Sequence, residues 1–265
     1  MLRFTLFVAV LTLVAAGPLQ ADIIVFEHTG NTDPTSGAEG WLTGGAGTGN
    51  SAGPLTNDAG SGFDAWYVDD NSNVIGSTFG YYQAPTAAEN NQASQFGWTL
   101  RTRLRVADNG DAVNNHGSVH SQYTTGSRAF LMAFGSEADG DPIVSLWNDI
   151  SDNFSGTAFT LQGSGGGYHL YELAYDPVAD SADLFVDGVE RISDFLGVTD
   201  ASLTANVVAF GSGSSYDTGQ GNYNLVQWEL SAVPEPSSLA LLGSGAFIIG
   251  VYGYFRRRRE QCRTP

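Results

Sequence analysis

WTLRTRLRV, Trp98 to Val106, is the stretch on which the fold turns. Trp98, Leu100, Leu104 and Val106 alternate with Thr99, Arg101, Arg103 and Arg105, and Thr102 falls in with the apolar set. A period of two places these groups on opposite faces of an extended strand, one turned to a core and one to solvent. The three arginines then stand in one row, about 7 Å apart at two-residue spacing. Two readings of that row are open. It is a solvated sheet face whose arginines offset nearby acids, or a groove in which Arg101, Arg103 and Arg105 contact an anionic polysaccharide.

Further strand-length runs lie on both sides of this one. Short apolar or aromatic runs at 23–26, 63–68 and 78–82 precede it, with residues 29–62 reading as long loops around Trp41 and Leu42. Runs at 129–134, 143–147, 158–161, 168–175, 183–186, 189–192, 207–210 and 223–230 follow, each bounded by Gly, Asp, Asn or Ser. Asp187-Gly188 is a two-residue hairpin turn, since both central positions need positive φ. Gly163 to Gly167 reads as a flexible loop, and no run keeps a helical period beyond two turns. These features predict an all-β chain folded as an antiparallel two-sheet β-sandwich over residues 22–231.

Charge narrows the partners. The chain has no lysine, and its 11 basic residues are all arginine. Between Asp22 and Ala232, five arginines (Arg101, Arg103, Arg105, Arg128 and Arg191) face 26 acids, a net charge of −21. Phosphate binding needs clustered positive charge, so nucleic acid is not expected as a partner. The single cysteine, Cys262, leaves residues 22–232 without an internal disulfide, held by their core alone.

No catalytic constellation emerges. A glycan hydrolase on such a sandwich needs two carboxylates presented together. Glu137-Ala138-Asp139-Gly140-Asp141 is the nearest approach, and its Gly140 and Pro142 read as a turn. His28, His116, His120 and His169 are scattered; His116 and His120 read as solvated loop histidines rather than metal ligands. There is no Gly-x-Ser-x-Gly elbow, phosphate loop or cysteine site, so an enzyme is not expected. Aspartates at 69–70, 108–111, 139–141 and 176–183 offer oxygen ligands for calcium. None follows the twelve-residue calcium loop, and Asx-type turn bonding is the competing reading.

YHLYELAYDPVADSADLFVDGVERI, Tyr168 to Ile192, resembles the centre of the laminin-G-like, concanavalin-A-like jelly roll. Tyr168-His169 opens a strand that ends at Tyr175-Asp176, and Val186-Asp187-Gly188 turns the following hairpin. The resemblance implies a lectin-type fold; its motifs are structural rather than functional.

Both ends of the chain carry addresses. Residues 1–21 read as a secretory signal peptide, with Arg3, an apolar centre at 4–16 and a cleavage site before Asp22 or, since Leu19 is bulky for that site, after Ala16. At the other end Pro234-Glu235-Pro236 precedes an uncharged stretch at 237–255, then Arg256, Arg257, Arg258 and Arg259. Nineteen residues at about 1.5 Å each make a transmembrane helix of about 28 Å, and the arginines hold its end in the cytoplasm. This tail, residues 232–260, resembles the PEP-CTERM sorting signal of Gram-negative bacteria. The resemblance implies recognition by exosortase, a membrane-embedded protease, with cleavage near Pro234–Pro236. Export would then run through the Sec machinery to a transient inner-membrane anchor with the domain on the periplasmic side, and on to the cell surface or extracellular matrix. Two functions lead: a lectin-like sandwich that binds exopolysaccharide or another surface glycan, or a structural matrix component without a dedicated ligand; a glycan hydrolase stands third, behind both.

Overall fold

The computed structural model describes residues 21–45, 49–71, 79–108, 119–148, 156–200, 203–212 and 219–232. The leader at 1–20, His116, Asp111, Pro234, Glu235, Pro236, the apolar stretch at 237–255 and Arg256 to Arg259 lie outside the described residues. Among the described residues no helix is long and apolar enough to cross a membrane.

The folded unit runs from Asp22 to Ser231. Its strands, in chain order, begin with β1 (Ile23–Thr29), β2 (Leu42–Gly44), β3 (Ser51–Leu55), β4 (Ala65–Asp70) and β5 (Phe79–Gln83). One helix, α1 (Ala87–Phe96), leads into β6 (Trp98–Asp108). Then come β7 (Val119–Thr125), β8 (Arg128–Ser136), β9 (Pro142–Leu146), β10 (Ala158–Thr160) and β11 (His169–Asp176). The chain closes with β12 (Ser181–Val186), β13 (Val189–Phe195), β14 (Val198–Thr199), β15 (Val207–Ser212) and β16 (Gly219–Leu230).

These strands form two antiparallel sheets, the all-β sandwich that the alternation at Trp98–Val106 predicts. The first sheet has the order β13-β12-β11-β6-β16-β4-β3, with β1 also on β16. The twelve-residue β16 is long enough to pair with β4 through Gly219–Tyr223 and then with β1 through Leu225–Leu230, while β6 runs along its other side. The second sheet has the order β10-β9-β8-β7-β15-β5-β2, with β14 on β8.

The core lies between the sheets and is largely aromatic. Trp98, Leu100, Thr102 and Leu104 of β6 all point inward and are buried. Trp98 meets Tyr123 and Phe130 edge-on and stacks on Tyr175 at 5.6 Å, while Trp228 packs on Tyr123 and Phe26. Rings of this kind each bury a large apolar area and gain from edge-to-face contact. Two pairs of polar groups meet across the core: the Thr102 hydroxyl donates to Ser121 Oγ at 2.8 Å, and Trp66 Nε1 donates to Tyr81 Oη at 2.9 Å, whereas the buried Trp228 Nε1 has no hydrogen-bond partner among the described residues. The sheets are thus bolted as well as packed, because each such group left unpaired would carry a desolvation penalty.

Three expectations need correction. The segment read as long loops contains β2 and β3, whose polar and glycine-rich residues give no alternation to read and which pair with β5 and β4. His120 is not in a loop but on β7, a strand whose alternation is hidden by Ser121 on its inward face and by Thr124, buried on the outward one. The Gly163–Gly167 loop is not free: Asp141 accepts bonds from the amides of Gly163 and Gly165.

Candidate functional site

The arginine row stands on the first sheet, facing away from the core. Register sets Arg101 beside Glu172 on β11 and Gln227 on β16. Its Nε donates to Glu172 at 2.6 Å, and its Nη1 pairs with Glu229. Arg105 grips Asp58 through both Nε and Nη2, at 2.8 and 2.9 Å. Asp58 belongs to a single 3-10 turn and also accepts from Tyr168 Oη and Asn222 Nδ2, both at 2.9 Å. Burial pushes the Asp58 carboxyl up, but the bonds from Arg105, Asn222 and Tyr168 prevail and hold it below the usual carboxylate range. Arg103 differs from its neighbours. Its guanidinium lies over the Phe63 ring at 5.2 Å and reaches Asn224 at 3.4 Å, with no carboxylate in ion-pair contact among the described residues. Two of the three cations are therefore neutralised by acids of this chain, as on a solvated face.

The acidic segment at 137–141 is the turn between β8 and β9. Glu137 N donates to Asp141 O, Gly140 N donates to Glu137 O, and Asp139 caps the Asp141 amide. An open groove of about 610 Å³ lies beside it, lined by Glu137, Asp139, Asp141, Thr160 and Gln162. Both Asp141 oxygens are taken by the glycine loop, whose Gly163 and Gly165 amides keep its carboxyl below the usual range. Thr160 donates to Glu137. These carboxylates organise loops, which is not the paired presentation that glycoside hydrolysis uses.

The other aspartates act in the same way. Asp176 receives the Val178 amide, Asp183 the Asp194 amide, and Asp180 the Arg128 guanidinium with Tyr175 Oη. Asp69 and Asp108 both flank Gln220 of β16, so the structure brings those two sequence clusters to one end of the first sheet. Burial, then the charges of Asp108 and Asp70, push the Asp69 carboxyl up, with a bond from Ser51 opposing. Among the described residues no group of three or more His, Cys, Asp or Glu is disposed to hold a metal ion. His28 is fully buried, with Nδ1 against Glu39 at 2.7 Å and its ring stacked on Phe210. His169 clasps Asp187 in the β12–β13 turn, also at 2.7 Å.

A different site lies on the second sheet, which the sequence did not point to. Gly44, Gly80, Gly211, His120 and Ala133 are successive cross-strand partners from β2 to β8. Phe210, Tyr81 and Tyr123 point into the core, so this rung faces outward. At Gly80 a Cβ would sit 2.4 Å from Phe210 O, and at Gly211 2.4 Å from Phe79 O, so neither position accommodates a side chain. The result is a trough with a backbone floor and a cavity of about 250 Å³. Tyr82, His120 and Ala209 stand around it. The scattered glycines 44, 80 and 211 carry no signal in the sequence, because only the register aligns them.

An antiparallel two-sheet sandwich is an architecture that lectin domains share. The chain belongs to the family described as the Vibrio cholerae sialidase lectin insertion, whose model matches residues 75–232, more than half of the chain. Residues 232–259 match the PEP-CTERM protein-sorting motif. Sialidases of two Vibrio cholerae serotype O1 strains, classical Ogawa and El Tor Inaba, are 28% identical over 214 residues. That match covers 79% of this chain but 24% of each sialidase, so the chain spans about a quarter of their length. The family assigns the match to the lectin insertion and not to the catalytic part. A carbohydrate esterase of the Shiga toxin-encoding bacteriophage phi24B superimposes with a TM-score of 0.57 at 14% identity, covering 80% of this chain and all of that one. At that identity the likeness concerns the fold alone. The sorting motif indicates export to the cell envelope or surface.

Proposed function

We propose that this protein is a non-catalytic glycan-binding module, exported and processed by exosortase and delivered to the cell surface or extracellular matrix. The observation that carries the reading is the order of the two matches: a lectin insertion ending at residue 232, followed directly by the sorting motif. The lectin module is thereby the cargo, and Pro234-Glu235-Pro236 marks where it is cut. Passage through the Sec machinery and a pause in the inner membrane, held by Arg256 to Arg259, belong to the same proposal. The fully charge-matched Arg101 and Arg105 fit a supporting role on the first sheet, and Arg103 is the member of the row left to meet a ligand.

The test is binding of the exported protein to an array of bacterial and host glycans. Saturable binding to at least one class is expected. Its absence against every class, with the protein folded, would leave a structural matrix component as the reading.

A further inference from the structure

We infer that the outer trough of the second sheet is a binding site for one uncharged sugar ring. This inference rests on the lectin reading above and adds to it a site apart from the Arg103 row, with its ligand class. Three features of the cavity point to it. The first is size: about 250 Å³ falls just below the roughly 300–1,000 Å³ of drug-sized pockets, which suits a single pyranose and not a disaccharide.

The second is the nature of the walls. Gly44 has no side chain to cover Tyr82, whose Cδ1 would lie 3.2 Å from a Cβ there, and the tyrosine ring stays half-exposed. An exposed aromatic face beside a backbone floor takes the C–H face of a sugar, while its hydroxyl edge turns to polar groups. Those groups are present. Tyr82 Oη has no partner among the described residues, and neither has the half-exposed Gln122 amide, which lies across from Ala209 on the same face. Both residues are partly open to solvent, so exchange of water for sugar hydroxyls leaves no buried group unpaired.

The third is charge. No arginine, aspartate or glutamate lines the trough. An acidic sugar would bring a carboxylate to a site with no arginine, where His120 is the one basic side chain in the lining, on a domain of net charge −21. A neutral hexose meets neither penalty.

The experiment is calorimetric titration of the full chain, held in a detergent without a sugar headgroup. The probes are methyl glycosides of glucose, galactose, mannose and N-acetylglucosamine, with sialyllactose and galacturonate as the acidic set. We expect saturable binding of a neutral glycoside and none of the acidic ones. Tyr82→Ala should weaken it about tenfold, whereas Tyr82→Phe, which keeps the ring, should change it by less than about threefold. Ala209→Trp fills the cavity and should abolish binding with the thermal midpoint retained, which guards against a Tyr82→Ala variant that fails to fold. Neutral-sugar binding that survives Ala209→Trp and Tyr82→Ala overturns this site while the lectin reading stands. Binding of the acidic sugars alone overturns the ligand class. No binding by any probe, if the glycan array is positive, overturns the site; if the array is also blank, the lectin reading falls with it.

Discussion

Asp58 shows how much of this protein's behaviour is decided by one side chain. Its carboxylate takes four hydrogen bonds from Arg105, Tyr168 and Asn222, and so ties the 3-10 turn to β6, to the loop before β11 and to β16. Replacement by Asn removes the charge and half of the acceptors while Arg105 stays half-buried; a loss of about 1–3 kcal/mol at pH 7 is expected from denaturant titration. The pH dependence has a definite sign. Because the folded protein holds Asp58 below the usual range, its contribution is complete above the unfolded value of about 3.9 and disappears as pH falls through the lower folded value. Asp58→Asn and the parent chain should therefore converge in stability near pH 2 and differ most above pH 5. Asp69 has the opposite sign. Its carboxyl is pushed up, by burial and then by Asp108 and Asp70, so charging it costs stability as pH rises through the folded value. Asp69→Asn should raise the thermal midpoint at pH 7 and leave it unchanged at pH 3. None of this pairing was legible beforehand. Arg105 and its acid lie 47 residues apart, and alternation shows which face an arginine takes but not which carboxylate comes to meet it.

At the scale of elements, legibility followed the strength of the local pattern. Strand β6 was readable because large apolar and charged residues alternate without a break, and the β12–β13 hairpin because Asp187 and Gly188 both have the positive φ that their types permit, 52° and 76°. Strand β7 was hidden by its inward Ser121 and by Thr124, which is buried on the opposite face. Helix α1 was hidden by weak amphipathicity, since Ala93 is its one buried residue. Its caps were nevertheless in view. Thr86 and Glu89 form a capping box, with Thr86 Oγ1 accepting from the Glu89 amide and Glu89 accepting from the Thr86 amide. Thr86→Ala should lower stability by about 0.5–2 kcal/mol. Gly97 ends the helix at φ 98°, and a Cβ there would lie 2.6 Å from Tyr175 O. Gly97→Ala combines strain with that clash and should cost about 1–3 kcal/mol, more than a cap residue elsewhere; chemical denaturation of both variants in parallel checks the order. The exposed edge at β13 is also shaped by local detail. Two register irregularities against β12, the positive φ of Asp194 and the charges of Glu190 and Arg191 make it a poor template for another strand.

For the whole molecule, the consequential fact is where the folded unit begins and ends. Ile23 of β1 is the partner of Leu230 of β16, so the first and last strands close the same part of the first sheet side by side. β16 is bonded along one side to β6 and along the other to β4 and β1, and Trp228 and Leu230 near its end are buried. The last strand is therefore complete before the Pro234-Glu235-Pro236 motif is reached. Ser231 closes it further, with its amide donating to Gly97 O and its carbonyl accepting from Gln92. Cutting at the motif breaks no hydrogen bond described within the sandwich, whereas loss of β1 strips a paired strand and uncovers Phe26, which stacks on Trp228 at 5.7 Å. A chain ending at Ala232 should unfold at the same midpoint as the full chain when followed by near-ultraviolet circular dichroism, a signal dominated by the core tryptophans. Deletion of residues 22–29 should lower that midpoint by 10 °C or more, since about 4–8 °C accompanies each 1 kcal/mol lost in a small domain and somewhat less in one of this size. If the chain ending at Ala232 melted well below the full chain, the tail would be part of the fold, and the separation of cargo from address at residue 232 would be lost.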